Sequence, residues 1–206
     1  VKKPGYRHGD AVIAREQTAG RGQRGNKWSS RPGENLTFSL VWEPEFLETR
    51  RQFLLSEAVA LALTDTLAKY SIGSKIKWTN DIYVGNKKIC GILIEHDLGV
   101  GGKLARTIVG IGLNVNQKEF DEWVPNPTSM AIESGKDFDL NGVFQDLYDA
   151  LEARYEQLKN SPEQIEKEYD ALLYRKDSEH KYRLPSGKVI HGIIRGVKPS
   201  GEVLVE

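Results

Sequence analysis

The sequence predicts an α+β fold, a mostly antiparallel sheet with helices to one side and a small β module after it. Three observations carry this prediction. Strand-like segments joined by turn signals fill the first two-thirds of the chain, one Ala- and Leu-rich run interrupts them as a helix, and the composition changes after Arg175 to short β stretches. In order, Ala11–Ala14 and Leu36–Trp42 read as strands, the second because Leu36, Phe38, Leu40 and Trp42 alternate with other residues. Between Arg51 and Tyr70, alanine and leucine recur at helical spacing with neither Gly nor Pro, which predicts a largely buried helix ending near Gly73. Strands follow at Lys75–Trp78, Ile82–Val84 and Lys88–Glu95, the last two joined by Gly85-Asn86, a pair suited to a tight hairpin turn. A turn at Gly99–Gly102 leads into a further strand, Leu104–Val115.

Beyond Pro125 the pattern becomes helical. Val143, Leu147, Leu151 and Leu158 mark one stripe of a helix from Asn141 to Lys159. A second helix is expected to start with Ser161 as N-cap, Pro162 in the first turn and Gln164 returning a capping-box bond, which turns Ile165, Tyr169, Leu172 and Leu173 inward. The β module comprises Lys181–Leu184, Val189–Val197 and Glu202–Val205, divided by Pro185-Ser186-Gly187 and Pro199-Ser200-Gly201. The chain begins at Val1, and its last strand-like stretch, Gly201–Glu206, stops without a closing turn, so a truncated chain is expected.

A length of 206 residues supports one domain of ordinary size plus a small appendage. Hydrophobic residues make up 39% and charged residues 28%, as in soluble globular proteins. The 29 basic side chains balance 29 acidic ones, so no global field attracts DNA or an anionic membrane, and any anion site must be local. The single cysteine, Cys90, excludes an internal disulfide and a cysteine metal cluster. No apolar run is long enough for a signal peptide or a membrane span, which makes the cytoplasm the expected location. The four histidines are scattered without metal-ligand spacing.

Three segments carry the chemistry. Gly20-Arg21-Gly22-Gln23-Arg24-Gly25-Asn26-Lys27-Trp28 concentrates glycines and cations directly after a strand. Glycines let backbone N–H groups approach a ligand, and arginines grip a carboxylate or phosphate through planar donors. No Gly-Lys-Ser/Thr ending opens a helix, so this is not a Walker loop. Composition leaves two readings open: an anion-binding loop, which its self-repelling cations would keep mobile until a ligand arrives, or a solvated surface loop. Trp28 either covers a bound ring or packs the loop onto the core. In the second segment, Lys77-Trp78-Thr79-Asn80-Asp81 ends one strand and leads through the hairpin to a strand apolar on both faces. Simple alternation there places Lys88 with Cys90, Ile92 and Ile94, opposite Ile89, Gly91, Leu93 and Glu95. Lys87 reads as solvated, Lys88 as a lysine at the mouth of a central strand, and Asp81 as a site or turn residue. In the third, Gly110-Ile111-Gly112-Leu113-Asn114-Val115-Asn116 removes side chains from one strand face, to admit either a ligand or a close neighbour. Asn114 needs a partner if buried.

In this order and separation, GRGQRGNKW, KWTNDIYVGNKKICGILIE and GIGLNVN resemble the motifs of the biotin protein ligase family over most of the chain. The family pattern is a GRGRxGRxW-like loop, KWPND with a following K-x-x-GIL-x-E strand, then GxGxN. The resemblance implies a synthetase-like catalytic domain over residues 1–174 and an SH3-like domain over 175–206. It further implies ATP-dependent activation of biotin to biotinyl-5'-adenylate, then transfer to a lysine of a biotin carboxyl carrier domain. Carried over by motif, Lys88 and Arg21 would be catalytic, and Gln17, Gly20, Arg21, Gly22, Gln23, Trp28, Lys88 and Gly91 would line the biotin side. Arg24, Trp28, Asn80, Asp81, Lys88 and Asn114 would line the nucleotide side. Mg²⁺ would be held mainly through ATP oxygens, without a dedicated protein cage. A homodimer is compatible with the resemblance.

The sequence departs from the family pattern at motif positions that include Gln23 and Thr79. Gln23 stands where the loop usually has arginine, which bears on retention of the adenylate, and Thr79 replaces the proline of KWPND. The Ser-Thr-Asn segment that normally precedes the first motif is absent, as a truncated chain would explain. No helix-turn-helix precedes the catalytic motifs, so a repressor function is not implied. Two other readings compete: a lipoyl or octanoyl ligase or transferase of the same fold, and a non-catalytic ligand- or RNA-binding module.

Overall fold

A computed structural model describes residues 5–184 and 186–206, with the Arg24 side chain outside that description. Pro185, in the first Pro-Ser-Gly turn, also lies outside it. In chain order the elements are β1 (Ala11–Ala14), β2 (Gly20–Arg21), β3 (Lys27–Trp28), β4 (Leu36–Trp42), α1 (Phe53–Lys69), β5 (Lys75–Lys77), β6 (Asp81–Val84), β7 (Lys87–Leu98) and β8 (Leu104–Leu113). They continue as α2 (Met130–Ser134), α3 (Leu140–Asn160), α4 (Pro162–Ala171), β9 (Glu179–Arg183), β10 (Val189–Val197) and β11 (Val203–Val205). Six antiparallel strands form the main sheet in the order β1-β4-β8-β7-β6-β5, and β11-β10-β9 form a small second one. The α+β architecture read from the sequence is therefore present.

The helices lie on one face of the main sheet. Helix α1 is apolar almost all round because it is covered on both sides, by β5–β7 and by α3 and α4. Its buried Thr64 and Thr66 donate to the carbonyls of Leu61 and Ala62 at 2.8 Å, so neither of these hydroxyls is stranded in the core. Helix α3 buries Val143, Leu147, Leu151, Tyr155 and Leu158. It starts where the Asp139 carboxylate accepts from the Asn141 and Gly142 N–H groups, at 3.3 and 2.9 Å.

The start of α4 differs from the expected capping box. The Ser161 side chain makes no cap hydrogen bond, and the Gln164 side chain donates to Glu168 at 2.7 Å. Ser161 also ends α3, its N–H bonding the Gln157 carbonyl at 2.7 Å, and that shared position fixes its backbone away from cap geometry. Pro162 does occupy the first turn, and Ile165, Tyr169 and Leu173 are buried. Helix α2 escaped sequence analysis because a single turn has no periodicity to read. Its frame is local: the Ser129 side chain accepts from Ile132 N–H at 3.2 Å, and Gly135 closes it with φ of 74°.

The small C-terminal sheet is docked through the second motif. Trp78 Nε1 donates to the Gly201 carbonyl at 2.8 Å, and a Cβ on Gly201 would lie 2.9 Å from Phe53 Cγ. Ile194 joins the main hydrophobic core.

One core group gives pH-dependent stability. Glu57 of α1 is only 4% exposed, and its Oε2 has no hydrogen-bond partner. Burial, then the nearby Glu166, push its pKa up from 4.5 to about 8, with Arg51 opposing. The folded state thus holds a proton that the unfolded chain releases above pH 4.5. Stability is full below that value, falls as pH rises toward about 8, and is flat beyond it. The whole effect is on the order of 3–5 kcal/mol. Urea unfolding from pH 5 to 9 should show this fall in the wild type, and Glu57→Gln should flatten it; an unchanged slope in the variant would assign it to other groups.

Candidate active site

Strand register builds the floor of the site. On the sheet face away from the helices, pairing aligns Ala14, Thr37, Gly112, Gly91 and Asp81 in one row across β1, β4, β8, β7 and β6. Val12, Ser39, Gly110 and Leu93 form the next row. Small side chains at the centre of these rows keep the floor low. Above it lies a cavity of about 460 Å³, walled by the Gly20–Trp28 loop, Trp78–Asp81 and Lys88.

The position of Lys88 corrects the simple alternation read from β7. Ile82 pairs with Cys90 but Tyr83 pairs with Lys88, so Ile89 is the extra residue of a bulge. The bulge turns Lys88 onto the face of Gly91, Leu93 and Glu95, away from Cys90 and Ile92. There its Nζ meets Asp81 Oδ1 at 2.7 Å, with the two side chains 28% and 21% exposed. The bulge is held by the chain beyond β8: Lys88 N–H donates to Asn126 O at 2.7 Å, and Lys88 O accepts from Thr128 N–H at 2.9 Å. Cys90 lies beneath the floor. Burial pushes its thiol well above the ordinary value, the Lys88 charge opposing, so it supplies no thiolate at neutral pH.

Trp28 does what the two glycine-bearing strands permit. A Cβ on Gly112 would sit 2.6 Å from Trp28 Cζ2, and one on Gly91 would sit 3.3 Å from Trp28 Cζ3 and 3.3 Å from Lys88 Nζ. The indole therefore lies on bare backbone, with Lys88 Nζ 5.8 Å from its ring centroid. Its buried Nε1 has no hydrogen-bond partner, a deficit of about 1–3 kcal/mol that an acceptor on a ligand can remove.

Composition gives the empty loop no reason to choose a conformation, but the structure supplies several. Gly20 and Arg21 pair with Trp28 and Lys27, and the Gly22 N–H donates to Asn26 O at 2.7 Å. A Cβ on Gly20 would run into the Trp28 backbone carbonyl oxygen, which the β2–β3 pairing holds in place, so this position needs glycine. The exposed Arg21 guanidinium approaches Glu95 at 3.7 Å. Gln23 Oε1 accepts from the Thr79 hydroxyl at 3.3 Å.

Of the residues singled out by sequence, Gln17, Arg21, Gly22, Gln23, Trp28, Asn80, Asp81, Lys88 and Gly91 all border the cavity, and Gly20 shapes the loop. Asn80 is fixed to β7 by two bonds, its Nδ2 donating to Ile92 O at 2.6 Å and its carbonyl accepting from Ile92 N–H at 2.9 Å. Asn114 stands apart from the cavity wall: it is buried, its Nδ2 donates to Thr128 O at 2.9 Å, and its Oδ1 has no partner. The Arg24 side chain, assigned to the nucleotide, lies outside the described residues. Lys77 is half-buried with Nζ 2.8 Å from the Tyr83 hydroxyl. Sequence reasoning missed Val12, Ala14, Thr37, Ser39, Leu93 and Glu95. Their period-2 spacing was visible, but which face formed a site was not.

Such a cavity suits a slender ligand that is anionic at one end. Comparison with known proteins gives this class an identity. The model of the "Biotin/lipoate A/B protein ligase family" matches residues 1–114, and the chain belongs to that family. Among curated relatives, "Bifunctional ligase/repressor BirA" of Salmonella typhimurium is 33% identical over 97% of this chain, which spans 62% of that protein's length. The "Biotin--[acetyl-CoA-carboxylase] ligase" of Mycobacterium tuberculosis is 29% identical over 96% of this chain and 73% of its own. A solved biotin protein ligase from Aquifex aeolicus, in complex with biotin and ATP, superposes with a TM-score of 0.82 at 28% identity, covering 98% of this chain and 83% of that one.

Proposed function

We propose that the protein activates biotin with ATP as biotinyl-5'-adenylate and transfers the biotinyl group to a lysine of a biotin carboxyl carrier domain. The observation that carries this reading is the cation-edged, glycine-floored cavity itself, which unites Lys88, Asp81, Trp28 and the basic loop from motifs far apart in sequence. Its volume lies within the range of small-molecule sites. The named ligase relatives and the biotin- and ATP-bound structural neighbour support it.

In the first half-reaction a biotin carboxylate oxygen attacks the α-phosphorus of ATP, the bond to the β-phosphate bridging oxygen breaks, and pyrophosphate leaves. Two anions must meet. A cation at ~4 Å contributes about 4 kcal/mol at an effective dielectric near 20, and Lys88 on the floor and Arg21 on the loop are placed to supply such charge. In the second half-reaction the acceptor amine attacks the acyl carbon, AMP departs with the bridging oxygen, and the ammonium proton passes to solvent. Mg²⁺ would enter with ATP and offset charge on the triphosphate; among the described residues, Asp81 and Glu95 are the carboxylates bordering the cavity that would be available to it.

No helix among the described residues is long and apolar enough to cross a membrane. With the balanced charge, this supports a cytoplasmic location as part of the proposal. Division into a catalytic unit over 1–174 and a β unit over 175–206 is likewise proposed, from the change of architecture near Arg175.

Pyrophosphate release from ATP, assayed with biotin, lipoate and octanoate in turn, tests the function. Release should require biotin and fall at least tenfold with the others. Equal release with octanoate or lipoate would move the substrate to another acid, and none with biotin would remove the reading.

A further inference from the structure

We infer that the sheet beyond Asp81 carries a leaving-group subsite, in which Lys77 and Tyr83, with Lys75 and Arg175 at the rim, receive the pyrophosphate displaced from ATP. The part played in the reaction rests on the function proposed above; the diphosphate site itself does not.

Strand register continues the cavity floor past its wall. Asp81 of β6 pairs with Gly91 on one side and with Lys77 of β5 on the other, while Tyr83 pairs with Lys88 and with Lys75. Directly paired residues share a sheet face, so Lys77, Tyr83 and Lys75 lie on the face that carries Lys88. Lys77 opens the second motif yet has no part in the steps above. Its Nζ donates to the Tyr83 hydroxyl at 2.8 Å and keeps two further protons to give. Tyr83 keeps its own phenolic proton. Its ring packs on Tyr174 with centroids 5.3 Å apart, and the Arg175 guanidinium lies 4.9 Å from the Tyr174 centroid. Among the described residues, Lys75, Lys77 and Arg175 form no ion pair, and Asp81, the acid beside them in the register, meets Lys88 at 2.7 Å. A half-buried lysine without a counter-charge is costly, and an anion removes that cost.

The direction of the reaction selects the anion. The groove runs from Val12 and Ala14 of β1 across β4 and β8 to Gly91 and Lys88 of β7. An acid lying in it with its carboxylate at Lys88 brings its attacking oxygen to the α-phosphorus from the β8 side. Attacking and leaving oxygens stand roughly in line, so pyrophosphate departs on the opposite side, over β6 and β5. Adjacent strands are about 4.8 Å apart, which sets the strand of Lys77 about 10 Å from that of Lys88, and the two side chains can close on a diphosphate between them. As the carboxylate–phosphorus bond forms, the bond from the α-phosphorus to the bridging oxygen breaks and its electron pair leaves on pyrophosphate. Lys77 and Tyr83 donate hydrogen bonds to that charge without losing a proton.

Calorimetric titration of the ligand-free chain with inorganic pyrophosphate alone tests the subsite. The unaltered chain should bind it, more weakly as salt rises, and Lys77→Met should weaken binding by about 10- to 100-fold, the range of a hydrogen bond to a charged group. Tyr83→Phe keeps the ring and should lose about 3- to 10-fold. Lys188→Met removes the same charge from an exposed turn of the C-terminal sheet and should bind as the unaltered chain does. No binding by the unaltered chain, or equal binding by Lys77→Met, would overturn the subsite; should Lys77→Met not fold, undiminished binding by Tyr83→Phe would do so. The role in the reaction is read separately. Lys77→Met should slow single-turnover adenylate formation by the same factor, with most of the loss recovered in Lys77→Arg. Transfer from preformed biotinyl-adenylate to hydroxylamine should be unchanged, because pyrophosphate has already left. Equal slowing of both half-reactions would reduce Lys77 to a structural partner of Tyr83. If the unaltered chain releases no pyrophosphate with biotin while Lys77→Met still loses pyrophosphate binding, the proposed function falls and the diphosphate site stands.

Discussion

Replacing Lys88 by alanine should lower the single-turnover rate of adenylate formation by about 100- to 1,000-fold, the range found when one preorganised donor to a developing anion is removed. Nucleotide binding should weaken far less, because the ammonium matters most as the carboxylate and the α-phosphate come together. The structure gives two reasons to expect this asymmetry. The bulge at Ile89 places Nζ on the cavity face at the edge of a glycine floor, and Asp81 at 2.7 Å holds it there. Lys88→Arg keeps the charge but forces a planar fork into a space shaped by Gly91, so partial recovery is expected. Rapid-quench measurement of pyrophosphate release, alongside nucleotide titration, separates the two effects. A Lys88→Ala rate equal to wild type would reduce Lys88 to a structural partner of Asp81.

The motifs were legible because their chemistry is local. Glycines, cations and an aromatic within one loop mark a candidate anion site wherever the loop lies, and the long alternating strands mark a sheet. What sequence did not reveal depends on neighbours. Alternation along β7 alone assigns Lys88 to the wrong face, because the bulge arises from the pairing of Tyr83 and Ile82 with β7, together with the clasp of Asn126 and Thr128. The capping box at Ser161 failed for a similar reason: that residue has to end α3 as well. Val12, Thr37 and Ser39 enter the floor only once the register of β1 and β4 on β8 is known. Asn114 illustrates the converse. Its motif was recognisable, yet the side chain spends its donor on the Thr128 carbonyl behind the cavity wall.

Gly112→Ala should abolish the site while leaving the sheet intact. In a β strand a glycine-to-alanine change usually favours the strand slightly, since alanine loses less backbone entropy on folding. Here the added methyl points into the indole of Trp28, 2.6 Å from Cζ2 and 2.8 Å from Nε1. Neither side can yield by small adjustment. Gly112 is tied on both flanks, to Thr37 of β4 and Gly91 of β7, and Trp28 is tied to Gly20. Relief requires Trp28 to leave the floor, and because Trp28 anchors β3, the loop that carries Arg21 and Gln23 must move with it. Biotin affinity should therefore fall by more than 10-fold, and Trp28 emission should shift to longer wavelength as the ring meets water, with Trp123 replaced by phenylalanine to reduce background. Global stability should stay within about 1 kcal/mol of wild type, since the helix side of the sheet is untouched. Gly110→Ala is the control: its Cβ would meet only the Leu93 carbonyl at 3.2 Å and Leu93 Cβ at 3.7 Å, away from the indole. It should bind biotin within a few fold of wild type. Calorimetric titration of both variants decides the matter, and a Gly112→Ala protein that binds biotin as well as Gly110→Ala would mean that Trp28 does not rest on this floor in solution.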